Sequence, residues 1–560
     1  MISGAARYIG HVTTVALTMS TLSLELPSAS HYPERPLGGK DSEPSDFMST
    51  ASVQPQTRDP DELVLGIVAP LGTDLRATAT SLEEGLRLVG YTTHALRLSE
   101  LLRPPLETGI DLQEESEGAR LRSYMAAGTA ARSLTKRGDF LALAASARIS
   151  EARPNDGEPM PRTAHLLLTL KHPEEVRTLR EIYGPGFYLI GVSSSQGDRI
   201  RHLIEYRGIP QTEAEDLIRL DTEELQANQQ PDDFGQKTRD TFELADVFIR
   251  AGDKAQIARF LDLIFGDPFQ TPTQEEHAMF MAYASSLRSA DLSRQVGAVI
   301  LSKNGDVIAT GTNDVAAPGG GLYWSGEGDA RDFARGKDIN EQRRNEFVID
   351  VMRRISPDSE ETDDGLLQRG KKLLEGSPIF DITEFGRAVH AEMEALLVCA
   401  RSGVSPVGGT LVCTTFPCHN CAKHIVAAGI ARVVYVEPYP KSQAHELFRE
   451  SIVVEDLVES RDLHRDQRVP FSPFSGIGPR RYIDLFSLGL GSGYKQRRKK
   501  KGAGGAKFEW KREAGRARVP MRPTSYLERE KVASDLLKRS TTYLHDELEK
   551  WKEEQHERRE

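Results

Sequence analysis

Two short stretches decide the fold of the carboxyl-terminal half, HAEMEAL at residues 390–396 and TTFPCHNCAKHIVAAGI at residues 414–430. Each predicts the start of a helix. Pro417 suits the position just before a helix because its missing N–H costs nothing there. Cys418 and Cys421 are three residues apart, so one helical turn places both sulfurs on the same face. In the first turn of a helix, the dipole also favours thiolate over thiol.

These residues together predict a metal site. Two thiolates from Cys418 and Cys421 and one imidazole from His390 form a three-ligand zinc site, and its open fourth position is typical of catalytic zinc. Zn2+ is therefore the predicted cofactor. Glu392, two residues after His390, is predicted to be the catalytic general acid/base that moves protons between water and substrate. H-x-E followed by P-C-x-x-C is the signature of zinc-dependent nucleobase deaminases.

Two structural interpretations of the cysteines remain open at this point. The Cys-x-x-Cys pair alone also suits a redox pair or half of a structural zinc site. A structural site needs a fourth ligand, for which Cys413 is the best candidate and Cys399 the second. The ordered occurrence of both motifs favours the catalytic site, which leaves Cys399 and Cys413 as buried small hydrophobic residues.

Outward from the motifs, the pattern of helices and strands predicts an α/β protein. VGAVILSKNGDVIATGTN at 296–313 predicts a hairpin with a Lys-Asn-Gly-Asp turn. Before residue 265, strand-like runs such as ELVLGIV alternate with helical patterns, which predicts a parallel sheet. The predicted organisation is an N-terminal extension, disordered, at 1–60, a P-loop-like parallel-sheet domain at 61–265, an α-β-α domain at 270–490 with an insertion at 317–384, and a basic tail with a surface helix at 491–560.

Composition limits the location and class of the protein. The chain has 560 residues, a formal charge of −11 and four cysteines, all between residues 399 and 421. This excludes a disulfide-stapled secreted scaffold and favours a reducing, cytoplasmic location. No apolar run is long enough to cross a membrane, and residues 11–26 are only a weak signal peptide, with Met48 as an alternative start. Residues 493–518 hold 11 Lys and Arg against two Glu, so a basic segment of about +9 follows an acidic body.

Several further segments resemble the deoxycytidylate deaminase family: RSADLSRQVGAVI at 288–300, GDVIATGTND at 305–314 and VVYVEPYPKS at 433–442. The resemblance spans about 270–485 and implies a cytidine deaminase-like fold. It implies zinc ligation by His390, Cys418 and Cys421, with Glu392 as the proton shuttle. It also implies substrate binding by the residues Asn313, Arg288 and Arg294. A turn residue is the alternative for Asn313, and a structural role is the alternative for both arginines. The insertion lacks Cys and His, so a second zinc site of the kind some relatives hold there is not expected.

The front domain contains a loop that resembles a phosphate-binding loop only in part. In ELVLGIVAPLGTDL at 62–75, a strand leads through Gly72, Thr73 and Asp74 into a helix, the shape of a phosphate-binding loop. The loop lacks the lysine of G-x-x-x-x-G-K-[ST], and Asp74 would repel phosphate. Either this is a degenerate nucleotide-binding P-loop or a turn without a ligand.

The combination of this domain with a deaminase resembles the bacterial antiphage dCTP/dCMP deaminases. That resemblance implies conversion of deoxycytidine nucleotides to deoxyuridine nucleotides, a regulatory front domain, a regulatory RNA or nucleotide effector, and a homo-oligomer. Three alternatives remain: a housekeeping dCMP deaminase, an RNA or DNA base deaminase that uses the basic tail, and a non-enzymatic regulator with structural zinc. An intact Glu392 argues against the last.

Overall fold

The computed structural model describes residues 62–103, 108–154, 157–227, 234–436, 442–458, 467–501 and 504–557. The predicted N-terminal extension, including Met48, lies outside the described residues. Within them the protein is a mixed α/β structure with two six-stranded sheets that are rich in parallel pairs. No helix among the described residues has both the length and the apolar character needed to cross a bilayer.

The first sheet contains the strands that the sequence predicted in the front half. Its strands are β1 (Leu63–Val68), β2 (Thr92–Arg97), β3 (Thr163–Leu168), β4 (Phe187–Ser193) and β5 (Val247–Arg250). They are parallel, in the order β5-β4-β1-β3-β2. Every residue of β1, β3 and β4 is buried, because helices cover both faces of this sheet.

Eight helices belong to this part of the described chain. They are α1 (Leu75–Leu88), α2 (Glu117–Thr135), α3 (Phe140–Glu151), α4 (Pro173–Tyr183), α5 (Gln196–Glu205), α6 (Gln211–Ala227), α7 (Thr238–Phe242) and α8 (Lys254–Ile264). Helix α4 illustrates how residues near its two ends determine where a helix begins and ends. Pro173 opens it, His172 and Glu175 form a capping box, and Gly184 ends it.

The second sheet carries the deaminase-like segments. Its strands are β6 (Gly297–Leu301), β7 (Val307–Thr312), β10 (Thr410–Cys413), β11 (Arg432–Tyr435), β12 (Ile452–Val454) and β13 (Val469–Pro473). The order is β12-β13-β11-β10-β6-β7, and the predicted hairpin is the antiparallel pair β6–β7. A small separate sheet pairs β8 (Asp314–Val315) with β9 (Ala388–Val389).

The helices of this part lie around the second sheet, in the insertion and at the carboxyl end. They are α9 (Gln274–Ser286), α10 (Asp332–Arg335), α11 (Ile339–Ile355), α12 (Asp363–Leu373), α13 (Ala391–Ser402), α14 (His419–Ala427), α15 (Ala444–Leu447), α16 (Tyr482–Phe486) and α17 (Pro523–Glu557). Helices α10–α12 lie in the insertion, and α11 packs on α12 through Val348, Met352 and Leu366.

The two sheets are joined more closely than the predicted domain boundaries suggest. Strand β14 (Gly476–Ile477) follows the second sheet but pairs with β5 at the edge of the first. The basic segment after residue 491 also returns to the front half. Arg518, of which only 1% is exposed, donates its backbone N–H to the Ile264 carbonyl, and the Arg512 guanidinium binds Asp262 at 2.7 Å. This part of the basic segment is therefore packed rather than solvated.

The surface helix predicted at the carboxyl end forms, and the structure shows where its inner face packs. Helix α17 packs against α3, and it buries Tyr526, Glu530, Ala533 and Leu544. The packed face is mostly apolar, with Leu527, Leu536 and Leu537 lying beside the buried positions. Its buried carboxylate, Glu530, pairs with Arg153 of the front half, a partner that local periodicity does not reveal.

Candidate metal centre and active site

The two predicted motifs meet in the structure at the amino ends of two neighbouring helices. His390 is the N-cap of α13, and Cys418 is the N-cap of α14. The His390 Nδ1 atom lies 3.3 Å from Cys418 Sγ and 3.4 Å from Cys421 Sγ. The three donor atoms lie within 4.8 Å of one another. A single ion with metal–ligand distances of about 2.0–2.3 Å fits such a group.

Two features of the sheet bring the helices together. Gly311 in β7 lies so close to α13 that a Cβ at this position would come within 2.0 Å of the Ala391 carbonyl oxygen. Only glycine therefore allows the first turn of α13 to lie against the strand. The β8–β9 pair places Asp314 opposite Val389, which brings Asn313 and His390 to the same end of the small sheet.

The predicted acid/base lies beside this group. Glu392 is buried with 3% exposure, and its Oε2 atom lies 3.5 Å from Cys421 Sγ. Burial raises the pKa of its carboxyl group. The pKa of Cys418 falls to about 3, first because Cys421 donates a hydrogen bond to its sulfur and then because His390 lies alongside. A thiolate at Cys418 is the form that binds metal.

The other two cysteines take no part in this cluster. Cys399 and Cys413 are both buried, and burial raises the pKa of each thiol. Among the described residues, the only group of three or more metal-binding side chains is His390, Cys418 and Cys421. The donor set is therefore that of a three-ligand site, and neither candidate for a fourth structural ligand belongs to it.

The predicted substrate-binding residues have different surroundings. Asn313 is buried, donates from Nδ2 to the Arg294 carbonyl at 2.7 Å and accepts from the Val296 N–H at 2.7 Å. It thus holds the loop at 289–296. The hydrogen bond with Cys418 is the main cause that raises the pKa of His390, and Asp291 of this loop adds a smaller effect. The structure brings Asn313 close to the metal centre and occupies part of its hydrogen-bonding capacity with this loop.

The two arginines are engaged elsewhere. Arg288 donates to the carbonyls of Leu322 (3.2 Å) and Tyr323 (2.9 Å), and its guanidinium lies 3.7 Å from the centre of the Trp324 ring. Arg294 is exposed and pairs with Glu243 of the front half at 3.3 Å. None of these contacts of Arg288 and Arg294 involves the metal-binding group, so substrate binding by the two arginines stays a prediction.

The front loop is far in sequence from this centre and has its own geometry. Gly72 has a φ of +87°, and a Cβ there would lie 3.0 Å from the Arg199 backbone oxygen, so glycine is required. Asp74 caps α1 by accepting from the Arg76 and Ala77 amides. Its carboxylate takes the amides that a phosphate would use in an ordinary P-loop. Binding of a phosphate by Gly72, Thr73 and Asp74 stays a prediction.

Comparison with known proteins settles the family. Residues 272–437 match the family model described as the cytidine and deoxycytidylate deaminase zinc-binding region. The deoxycytidylate deaminase of enterobacteria phage T4 is 31% identical over 163 residues, which cover 29% of this chain and 77% of that protein. The chain belongs to the deoxycytidylate deaminase family. The resemblance seen in the motifs is thereby confirmed, and so is zinc as the cofactor of this region.

Another relative and one solved structure are also similar to parts of the chain. ComE operon protein 2 of Bacillus subtilis is 42% identical over 74 residues, covering 13% of this chain and 39% of that protein. A solved structure of dCMP deaminase from cyanophage S-TIM5, in complex with dCMP and dUMP, is 20% identical and covers 37% of this chain and 100% of that chain, with a TM-score of 0.21. The matched family region covers none of the front half.

Sequence reasoning missed one basic side chain near the front loop. Lys171, which follows β3, donates from Nζ to the Ala69 carbonyl at 3.1 Å and lies 3.4 Å from Asp221 Oδ1. The loop after β1 has no lysine of its own, but the neighbouring strand supplies one. Its position beyond the carboxyl end of a parallel strand was the available signal, since such ends meet at one edge of a sheet.

Proposed function

We propose that the protein catalyses the zinc-dependent hydrolytic deamination of deoxycytidine nucleotides, dCTP, dCMP or both, to the corresponding deoxyuridine nucleotides. One observation carries the proposal: a buried carboxylate, Glu392, lies beside a His-Cys-Cys group for which the described residues offer no fourth protein ligand. The T4 relative bears the name deoxycytidylate deaminase, which supports a deoxycytidine nucleotide as substrate.

The reaction adds one water to the cytosine ring and releases ammonia, so the C4–N bond breaks and a C4–O bond forms. Zinc, when bound by His390, Cys418 and Cys421, supplies Lewis acidity and makes water a better nucleophile at neutral pH. Glu392 would take one proton from water and pass it to the ring nitrogen N3, and would then take the remaining hydroxyl proton and pass it to the leaving amino group, which departs as ammonia. The burial of Glu392 keeps bulk water from competing for these protons.

Product analysis tests this proposal. Zinc-loaded protein is incubated with dCMP, dCTP, CMP, CTP and a single-stranded RNA, and uracil products are separated by chromatography. Uracil from a deoxycytidine nucleotide supports the proposal. Uracil only from RNA would instead support the base-editing alternative and the basic tail as its binding surface.

The proposed biological role is defence against phage by depletion of dCTP. It rests on the resemblance of the whole architecture to antiphage deaminases. Cells that express the protein should resist a phage whose replication needs dCTP, and the dCTP pool should fall on infection. Protection that persists in a Glu392→Ala variant would show that deamination is not its cause. A homo-oligomer, proposed on the same resemblance, is testable by sedimentation.

The front half is proposed to regulate the deaminase, and a chain of contacts supports this. The Arg199 side chain donates to the Leu71 carbonyl of the front loop at 3.2 Å. Nearby in α5, the Gln196 N–H donates to the Asp456 carbonyl at 2.6 Å. The Asp456 carboxylate accepts from the Tyr435 hydroxyl at 2.9 Å. The Tyr435 ring then packs on Phe416, with ring centres 4.7 Å apart, two residues before Cys418.

Removal of residues 1–260 is a poor test of regulation, because β14 would lose β5 and α17 would lose α3. Tyr435→Phe is sharper, since it removes one hydroxyl and its bond to Asp456. Deaminase kcat should change several-fold at unchanged zinc content. Tyr482→Phe is the control, because the Tyr482 hydroxyl has no hydrogen bond with the described residues and its ring stacks on Phe280. Equal kcat in wild type and Tyr435→Phe would refute this route.

A further inference from the structure

A cavity of about 330 Å³ lies at the carboxyl edge of the first sheet, next to the front loop. Its walls come from the segments that follow β1, β2 and β3, together with helices α2 and α5. The carboxyl edge of a parallel sheet is where α/β proteins bind ligands when connections leave the strands in opposite directions. Such a reversal occurs next to β1. The connection from β1 leads to β2 on one side of β1, and the connection from β3 leads to β4 on its other side. The volume is in the range of small-molecule sites.

The cavity is strongly basic. Among its lining residues, only Asp74 is acidic, whereas six are cationic: Arg76, Arg97, Arg120, Arg132, Lys171 and Arg207. Four of these cations have carboxylate partners behind the wall. Lys171 pairs with Asp221 and Arg132 with Glu175, while Arg120 and Arg207 share one carboxylate, Glu117.

Arg97 is the most informative of these residues. It is half-buried at the end of β2, and it forms no ion pair or hydrogen bond with the residues that the structure describes. Burial and the nearby charge of Arg207 lower its pKa. Glu100 and Glu117 partly offset this effect, and an anion bound beside the half-buried guanidinium would remove the remaining cost.

A second polar group also lacks a partner. The Thr73 Oγ1 atom is buried against the cavity, with 9% of the residue exposed, and it has no hydrogen bond to any residue that the structure describes. Buried hydroxyl groups are nearly always bonded to protein, water or ligand. Thr73 Oγ1 and the Arg97 guanidinium are therefore two donors that an anion can use. The α1 amides are not, because Asp74 occupies them.

The rest of the cavity is suited to a ring rather than to a bare ion. Part of the cavity wall is apolar and includes the side chains of Leu98, Leu121, Tyr124 and Met125. At its mouth, His202 and the 75%-exposed Tyr206 stack with ring centres 5.4 Å apart and an interplanar angle of 20°. Such a platform stacks on a flat aromatic ligand.

We infer that this cavity binds a nucleoside phosphate, with the phosphate at Arg97, Thr73 and Lys171 and the base toward the apolar wall and the His202–Tyr206 pair. The ligand is bound and not turned over, because the loop lacks the open amides of a phosphoryl-transfer site. The inference deepens the proposed regulatory role of the front half, but binding itself does not depend on deamination.

The test uses full-length, zinc-loaded Glu392→Ala protein, so that no probe is consumed. Isothermal titration is run with ATP, GTP, AMP, GMP and inorganic phosphate, with and without saturating dCMP to fill the deaminase centre. At least one nucleotide should bind, and dCMP should not displace it. Arg97→Ala should weaken it by roughly ten- to a hundredfold, the loss of one charge-assisted bond, and Thr73→Val should weaken it less.

Arg122→Ala is the matched control, because Arg122 is exposed on the same helix as Arg120 and does not line the cavity. Neither Arg97 nor Thr73 makes a side-chain bond that the fold needs, and equal melting temperatures without ligand confirm folding. Two results would overturn the inference: no nucleotide binds, or Arg97→Ala leaves its affinity unchanged, in which case displacement by dCMP would place the nucleotide at the deaminase centre. Phosphate alone binding as tightly as every nucleotide would overturn the nucleotide class.

Discussion

Arg153 links the carboxyl-terminal helix to the front half, and its removal should loosen that helix. Its guanidinium binds Glu530 of α17 through two bonds of 2.7 and 2.8 Å and Glu62 through one of 3.0 Å. The side chains of all three residues are at least 99% buried. Tyr526 donates to the same Glu62 oxygen at 2.6 Å, which completes the network.

Arg153→Met keeps much of the side-chain volume but leaves two carboxylates buried without their cation. Removing one partner of a buried ion pair costs about 3–5 kcal/mol. Because the network spans α17 and the front half, we expect this cost to appear as easier detachment of α17. An opening free energy lowered by about 3 kcal/mol corresponds to a roughly 150-fold loss of hydrogen-exchange protection.

Hydrogen exchange followed by mass spectrometry over 523–550 measures this directly. Arg148→Ala is the control, because Arg148 lies in the neighbouring helix α3 and pairs with Glu151 at 3.1 Å, but both side chains are 64% exposed. An exposed pair contributes about 0–1 kcal/mol, so this variant should exchange like the wild type. Unchanged protection in Arg153→Met, or an equal loss in both variants, would refute the reasoning.

Three further predictions concern the metal centre and the path to it. Gly311→Ala should lower both zinc content and activity, because its methyl group would displace the first turn of α13; zinc retained at one equivalent, measured by atomic absorption, would contradict this. Cys418→Ser should lose zinc while Cys399→Ser keeps it, since only the former belongs to the donor group. Burial raises the pKa of Asp456 to about 7, so the folded protein keeps a proton that the unfolded chain loses near pH 4. The free energy of unfolding should therefore fall as pH rises from about 4 to 7, and Asp456→Asn should remove that part of the pH dependence in denaturant titrations.

The sequence predicted the metal centre well because its chemistry is local. Cys418 and Cys421 are one helical turn apart. Each motif lies at the start of a helix, which Pro417 and the flanking strands predict. The two motifs come together in the structure through the antiparallel β8–β9 pair and the close approach of α13 to Gly311. The strands of the front half were predictable for a similar reason, since fully buried strands such as LVLGIV are continuous apolar runs.

The rest depends on contacts between residues far apart in the chain. The cationic cavity draws Arg97, Arg120, Lys171 and Arg207 from separate elements, and no local pattern brings them together. One contact that holds α17 comes from Arg153, which lies 377 positions before its partner Glu530. Burial of such charges runs against the rule that charged residues are exposed, so periodicity alone does not predict this contact.

The central claim is that Glu392 moves protons beside a zinc ion held by His390, Cys418 and Cys421. The most direct measurement compares the kcat for dCMP and dCTP of wild-type and Glu392→Gln protein, with zinc content measured on the same samples. We predict one zinc per chain in both and a kcat at least roughly a hundredfold lower in the variant. Glu394→Gln, on the same helix, should keep its activity. Full activity in Glu392→Gln, or no uracil product from either nucleotide with zinc-loaded wild type, would contradict the account.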